Sequence, residues 1–266
     1  MKNISKTIII KSVLATIFVG IALLLSSCAG NKKNELELVI GVNTPFPPYQ
    51  VLNDQGEIEG FDIDVAQAIA QKLNKKLVVK DMPFDSLFIG LTQGKIDAVL
   101  AGITITNERL NAMNMVHYQG KQLHELPILF WGKIPEGVAS VEDIKKLDIR
   151  TICVQPGSLQ ENVVLKYSFL EVKQLDTIHD LIMDLKYGKS LAAMIEPVVV
   201  EELQKKYPEI KVISHQLLDS EKGFGHGIGI AKENELLTQQ IKAVVEQMKA
   251  DGSLDQLEKK WFNKKL

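Results

Sequence analysis

The sequence is poor in the residues that staple or metallate small proteins. Its 266 residues include two cysteines, too few for a disulfide framework or a four-thiolate metal site. The five histidines, at 117, 124, 179, 215 and 226, form no i, i+4 pair on a helix, so no metal site is expected. Neither sign of charge dominates. The 31 basic and 33 acidic side chains leave a formal charge of -2, which gives no electrostatic support for a nucleic-acid surface. An apolar run from Val13 to Leu25, interrupted by Thr16 and Gly20, is shorter than the roughly 20 residues of a comfortable membrane span. Internal repeats and low-complexity segments are absent too. What is present is an ordinary globular composition, 45% apolar and 24% charged, at a length that suits one large domain or two modest ones.

The first tenth of the chain is unlike the rest. Lys2, Lys6 and Lys11 precede the apolar run with no acid among them, the arrangement of a signal peptide over residues 1–27. Leu25-Ser26-Ser27-Cys28 resembles a bacterial lipobox, which implies cleavage before Cys28 and acylation of it. Each acyl CH₂ buried in a bilayer contributes about 0.8 kcal/mol. Residues 28–35 are expected to form a polar tether. Removal of residues 1–27 leaves 239 residues with 28 basic and 33 acidic side chains, a charge of -5. Cys153 is then the lone thiol, expected to be buried, and no intramolecular disulfide is available.

Behind the tether, strand and helix patterns alternate. Leu36, Leu38, Ile40 and Val42 mark a half-buried strand, and Pro45, Pro47 and Pro48 stop it in a stiff loop. Helical spacing runs from 62 to 73, and Asp85 is placed to cap a helix ending at Gly94. The apolar run 96–101 reads as a parallel-type strand, and Thr106 caps a short helix carrying Arg109. Ser140 and Asp143 have capping-box spacing before a helix to Leu147. Further strands are expected at 150–154, 172–174, 191–195 and 210–214, and helices at 158–167, 177–187 and 198–206. Two C-terminal helices break at Asp251-Gly252. The alternation predicts an α/β fold with mainly parallel sheets.

Catalytic motifs do not emerge. Gly225, Gly227 and Gly229 lead into a strand rather than opening a helix, so they are read as backbone permissiveness near a crossover and not as a dinucleotide loop. Ser158 enters a helix but lacks a GxSxG frame and a histidine partner. One constellation stands out, Ala101-Gly102-Ile103-Thr104-Ile105-Thr106-Asn107-Glu108-Arg109. A buried strand ends there at a glycine before a helix N-terminus that favours anions. Arg109 sits one turn in and can grip a carboxylate with two parallel hydrogen bonds.

These residues carry a resemblance that extends over most of the chain. GVNTPFPPY (41–49), GEIEGFDIDVAQAIAQKL (56–73), FDSLFIGLTQGKIDAVLAGITITNER (84–109), QPGSLQE (155–161) and DGSLDQLEKKWF (251–262) occur in order. Together they make the chain similar to the polar amino-acid family of periplasmic solute-binding proteins, the receptors of ABC importers, and above all to arginine-binding lipoproteins. The resemblance implies a two-lobed periplasmic-binding-protein fold of type II. Lobe one would take 36–120 and 226–266, lobe two 125–219, and two crossover strands at 121–124 and 220–225 would form a hinge closing over a cleft. It implies a monomeric, non-enzymatic receptor without cofactor, at the cell surface or in the periplasm, partnered by an ABC permease and held to the membrane by lipid. The ligand would be L-arginine or another basic amino acid. A glutamine-type receptor is the nearest alternative, and a cyclic-carboxylate dehydratase is the alternative from another class.

Carried across position by position, the resemblance has Arg109 hold the ligand carboxylate with backbone groups near Gly102 and Thr104. The Gly157-Ser158-Leu159 turn of the second lobe would add amide donors. The acid that meets the ligand ammonium falls at Glu196, in a stretch where Leu191 replaces the family's first Asp. Glu196 is one methylene longer than the usual residue. Phe46 and Phe84 match positions that sandwich the ligand side chain, where a guanidinium stacks at about 0.5–2 kcal/mol per ring. Asn43 stands where basic-ligand receptors often carry Asp, so a side-chain cation would need another acid, with Asp62 and Asp85 as candidates.

Overall fold

The computed structural model describes residues 36–262. The signal peptide, Cys28 and the tether up to residue 35 lie outside the described residues. Strand β1 (Glu37–Val42) is buried on both faces: Leu38 and Ile40 pack on one side of its sheet and Val39 on the other. The alternation in the sequence therefore covers only half of its burial. The chain then forms a short hairpin of β2 (Val51–Leu52) and β3 (Ile58–Glu59), followed by α1 (Phe61–Lys72), β4 (Lys76–Asp81) and α2 (Phe84–Thr92). Next come β5 (Ala98–Val99), α3 (Asn107–Ala112) and the long β6 (Met113–Leu123). Only His124 separates β6 from β7 (Glu125–Trp131), which begins a second sheet. After a 3₁₀ turn at Glu142–Lys146 come β8 (Thr151–Val154), α4 (Leu159–Val164), β9 (Glu171–Gln174), α5 (Ile178–Lys186) and β10 (Ala192–Met194). A 3₁₀ turn at Pro197–Val199, α6 (Val200–Lys206) and β11 (Ile210–Gln216) complete that half. The chain returns through β12 (Gly223–Ala231) and ends in α7 (Glu235–Ala250) and α8 (Ser253–Phe262).

Two five-stranded sheets result, ordered β4-β1-β5-β12-β6 and β11-β7-β10-β8-β9. They are mixed rather than mainly parallel. β1 pairs with β5, and β8 with β9 and β10, in parallel. The strands that carry the chain between the sheets, β6, β7, β11 and β12, pair antiparallel. The chain crosses twice, so its outgoing and returning strands lie head to tail. Each sheet is covered on both faces. In the first, Ile40, Leu100 and Ile228 pack against Val65, Ile69, Ile241 and Val245, while Val39, Val99 and Ile103 pack against Leu87 and Leu91 of α2. Each such buried aliphatic side chain contributes about 1.5–3 kcal/mol. In the second sheet, Ile152 and Met194 face one helical layer and Cys153 and Ala193 the other.

Several local expectations are corrected. Pro83, not Asp85, stands at the N-cap of α2. The proline backbone is already extended there, and Leu87 N–H bonds to its carbonyl at 3.2 Å, so the helix starts two residues earlier. Asp85 is exposed in the first turn and accepts from the Ser86 hydroxyl at 3.2 Å. The Ser140 and Asp143 box forms, with Asp143 N–H donating to Ser140 Oγ at 3.4 Å and Ser140 N–H to Asp143 Oδ2 at 3.2 Å. It opens a 3₁₀ turn rather than an α-helix. α4 ends at Val164 instead of Tyr167, because Lys166 and Tyr167 donate three residues back, to Val163 and Val164, which tightens the last turn. No helix among the described residues is long and apolar enough to cross a membrane.

Candidate ligand-binding site

Between the two sheets lies a cleft lined by residues of both lobes. All nine ligand-site residues nominated from the sequence line it. Asn43, Phe46, Phe84, Gly102, Thr104 and Arg109 come from the first lobe, and Ser158, Leu159 and Glu196 from the second. Gln155, Gln160, Ile178 and Leu181 also line it and were not nominated. The two glutamines fall inside the QPGSLQE segment, where their polarity was the available signal. The two isoleucine and leucine positions of α5 carry none beyond helical periodicity.

Arg109 is placed by local chemistry. Thr106 accepts a hydrogen bond from Arg109 N–H at 3.2 Å and so caps α3, which sets the guanidinium one turn into the helix. Nη1 donates to Thr104 O at 2.8 Å and Nη2 donates across the cleft to Gly157 O at 2.9 Å. The guanidinium carbon lies 5.7 Å from the Phe84 ring centre and 5.1 Å from that of Phe88. Burial pulls its pKa down to about 10, against the opposing pull of the Glu196 and Glu108 carboxylates, so it is charged at neutral pH. Phe84 thus offers a ring face to Arg109, while Phe46 stacks on Tyr49 at 5.3 Å with planes 11° apart.

The opposite wall carries the acid. Glu196 follows β10, and its side chain is 12% exposed. Its Oε1 accepts from the Thr104 hydroxyl at 3.4 Å and faces His226 Nε2 at 3.2 Å, while Oε2 accepts from Gln160 Nε2 at 2.5 Å. Burial alone would raise its pKa. The His226 and Gln160 hydrogen bonds and the Arg109 charge outweigh that and hold the carboxyl below its ordinary range. The cavity therefore sets a fixed cation and a fixed anion on two walls.

Some expected donors are already engaged. The Gly102 N–H donates to Asp62 Oδ2 at 3.0 Å, and the Gly157 N–H to Glu161 Oε2 at 2.8 Å. Ser158 caps α4 by accepting from Glu161 N–H at 3.1 Å. Neither candidate for a side-chain counter-ion reaches the cavity. Asp62 is fully buried behind Gly102, bonded also by Tyr118 Oη at 2.6 Å and by Gln50 Nε2, and Asp85 lies on the surface. Glu196 is the one acid among the described lining residues. At the far end Asn43 donates to Met82 O at 3.0 Å and accepts from Gln155 Nε2 at 2.8 Å, tying the lobes through neutral groups.

Gly102 and Gly157 are required by geometry. Both adopt left-handed φ, +56° and +74°. A Cβ at Gly102 would lie 2.5 Å from Phe46 Cε1, and one at Gly157 would lie 3.2 Å from the Asp85 Cα in the facing lobe.

Two lobes, each an α/β sheet with helices on both faces, joined by two crossings and closing on a charged cavity, define a small-ligand binding protein of the two-lobed periplasmic type. The chain belongs to the bacterial extracellular solute-binding proteins, family 3, whose model matches residues 38–264. It is 32% identical over 232 residues to the Probable ABC transporter arginine-binding protein ArtJ of Chlamydia trachomatis, covering 87% of this chain and 88% of that one. Among solved structures, an ancestral arginine-binding protein bound to arginine superposes with a TM-score of 0.75 at 32% identity, covering 86% of this chain and 99% of the other. An ancestral arginine-binding protein bound to glutamine gives 0.75 at 31% identity, covering 87% and 100%. The family is one of extracellular solute-binding proteins, which places the chain outside the cytoplasmic membrane.

Proposed function

We propose that the cavity binds the zwitterionic end of an L-amino acid, arginine first, with Arg109 on the carboxylate and Glu196 on the ammonium. The observation that carries this is the pairing of one fixed cation with one fixed anion on facing lobes, a complement to the two charges that every free α-amino acid shares. Arg109 has five N–H donors in its fork and spends one on each of two carbonyls, so donors remain for a carboxylate. The Thr104 hydroxyl, which donates to Glu196, and the neutral Asn43 and Gln155 amides complete the polar lining. The arginine named for the relatives supports arginine as ligand, and the rings of Phe46 and Phe84 suit a guanidinium. Glutamine is the second reading, favoured by the neutral Asn43–Gln155 pair and by the lack of a second acid among the described lining residues.

In this reading the receptor is a monomer with lobes 36–120 plus 226–266 and 125–219, hinged at 121–124 and 220–225. Cys28 is its lipid anchor, and its partner is the membrane-embedded permease. A calorimetric panel of the twenty amino acids and ornithine tests the ligand; an arginine isotherm no stronger than the background, beside a strong glutamine one, overturns the arginine preference. Arg109→Ala tests the carboxylate contact. Removing one partner of a buried charge pair costs about 2–5 kcal/mol, or roughly 30- to 5,000-fold in Kd. Retained affinity refutes that assignment.

A further inference from the structure

His226 does not line the ligand cavity. It lies on β12 in a second, open cavity on the hinge side, which shares Thr104 and Glu196 with the first. Glu196 is thus the partition between ligand and histidine. The hydrogen bonds around the imidazole decide its protonation. Gln119 Nε2 donates to Glu258 Oε1 at 3.0 Å, which turns its amide oxygen toward His226 Nδ1 at 2.8 Å. The Tyr49 hydroxyl donates to the same Gln119 oxygen at 2.8 Å and leaves its own oxygen, 2.8 Å from Nδ1, to accept. Nδ1 therefore faces acceptors and carries a hydrogen. Nε2 faces the Glu196 carboxylate at 3.2 Å, where a bare lone pair would be repelled, so it carries one too. An imidazole with both nitrogens protonated is a cation.

We propose that His226 is an internal cation on Glu196 that competes with the ligand ammonium, so that amino-acid binding expels one proton from His226. The inference rests on the reading that Glu196 receives the ammonium. Glu196 Oε1 is occupied by Thr104 and His226, and Oε2 by Gln160, which leaves a lone pair on Oε2 for one further donor. An ammonium arriving there sets a second cation against one carboxylate, with Arg109 already nearby. The balance is restored when the Nε2 proton leaves through the hinge-side cavity to solvent, while Nδ1–H stays on Gln119. The other charged or titratable groups around the ring do not replace this step. Asp62, raised to about 7 by burial, also titrates in this range, but it lies behind Gly102 away from the ligand cavity, held by three donors, and it is retained in the His226 variants, which separate its proton from that of the imidazole. Glu258 is engaged through Gln119, and Tyr49 is kept protonated by burial. Lys121 lines the same cavity, and His117 turns its Nε2 to Gly120 O at 3.0 Å.

The sign follows from competition: protonation of His226 opposes ligand binding, so affinity falls on acidification, by at most about tenfold per pH unit for one proton. The test is calorimetric titration of the full chain with L-arginine, and with L-glutamine as a second probe carrying the same ammonium. It runs from pH 5 to 8, where imidazoles exchange charge, in two buffers of different ionisation enthalpy. Wild type is expected to release up to one proton per ligand and to bind more weakly toward pH 5. His226→Gln, which keeps a donor to Glu196 without a titrating proton, is expected to release none and to show a flat profile. His226→Asn serves the same comparison if the first variant does not fold. A His226 variant that keeps the wild-type proton release and slope, while Glu196→Gln loses affinity, overturns this inference alone. Wild-type affinity in Glu196→Gln overturns the ammonium contact itself, and this inference with it.

Discussion

Replacing Gly102 by alanine is expected to damage stability and binding by separable amounts. The φ of +56° costs a residue with a Cβ about 1–2 kcal/mol. The new methyl would also meet Phe46 Cε1 at 2.5 Å, Phe46 Cδ1 at 3.2 Å and Tyr49 Cδ2 at 3.5 Å. Tyr49 is fully buried and cannot retreat, so the half-buried Phe46 ring has to leave its stack and swing away from the cavity wall. Overpacking of this kind costs about 1–3 kcal/mol. With each kcal/mol worth about 2–4 °C in a chain of this size, the melting point should fall by roughly 4–20 °C. The amino-acid Kd should rise about tenfold or more, since 1.4 kcal/mol is a factor of ten and Phe46 lines the site. A double-mutant cycle separates the two costs. In the Gly102→Ala/Phe46→Ala background the ring is gone, so the added cost of the alanine should shrink to the backbone strain. Thermal denaturation of the four proteins, with calorimetry on each, gives both numbers. If Gly102→Ala melts within about 1 °C of wild type and binds normally, the claim that backbone and ring share that space is wrong.

Asp62 predicts a pH dependence of stability. Burial raises its pKa from 3.8 to about 7 against the pull of Tyr118, Gly102, His226 and Gln50, so the fold favours the neutral acid. Its contribution is complete below about pH 4, declines as pH rises toward 7 at up to about 1.4 kcal/mol per unit, and is level above. Asp62→Asn cannot titrate. Urea midpoints of the two proteins should diverge between pH 4 and 7, and parallel profiles would refute the assignment. The Cys153 thiol is fully buried and its pKa is pushed up to about 12, chiefly by burial. Iodoacetamide should label it only in denaturant, in step with unfolding; labelling of the native protein at the rate of a free thiol would contradict its burial.

What the sequence made legible depended on whether the signal was local. Arg109, Thr106 and the glycine before them lie within eight positions, so their constellation could be read as an anion site before any contact was known. Ser140 and Asp143 likewise announce a capping box three residues apart. The antiparallel crossings were hidden, because nothing in a single strand tells which neighbour it will pair with or in which direction. His226 was hidden for a related reason. It sits in a glycine-rich run that reads as backbone permissiveness, and its partner Glu196 is 30 positions away in the other lobe. Asp62 looked like an available acid because its three donors, Gln50, Gly102 and Tyr118, come from three separate segments. The neutral Asn43, by contrast, was visible as a departure from the outset, and its bond to Gln155 turns that departure into a bridge between lobes.

The pairing of β6 with β12 runs unbroken in direction from Met113 opposite Ala231 to Leu123 opposite Gly223, with its irregularities confined to Phe224, His226 and Gly227. Two backbones laced side by side act as a leaf spring. They flex readily out of their plane but resist sliding past one another, since a slip of one residue would break every rung of the ladder at once. Where the proposed hinge bends at the ends of this ladder, such pairing leaves the lobes a swing about a single axis. The register is interrupted only around Phe224, His226 and Gly227, so the histidine that faces Glu196 stands at the one break in the ladder.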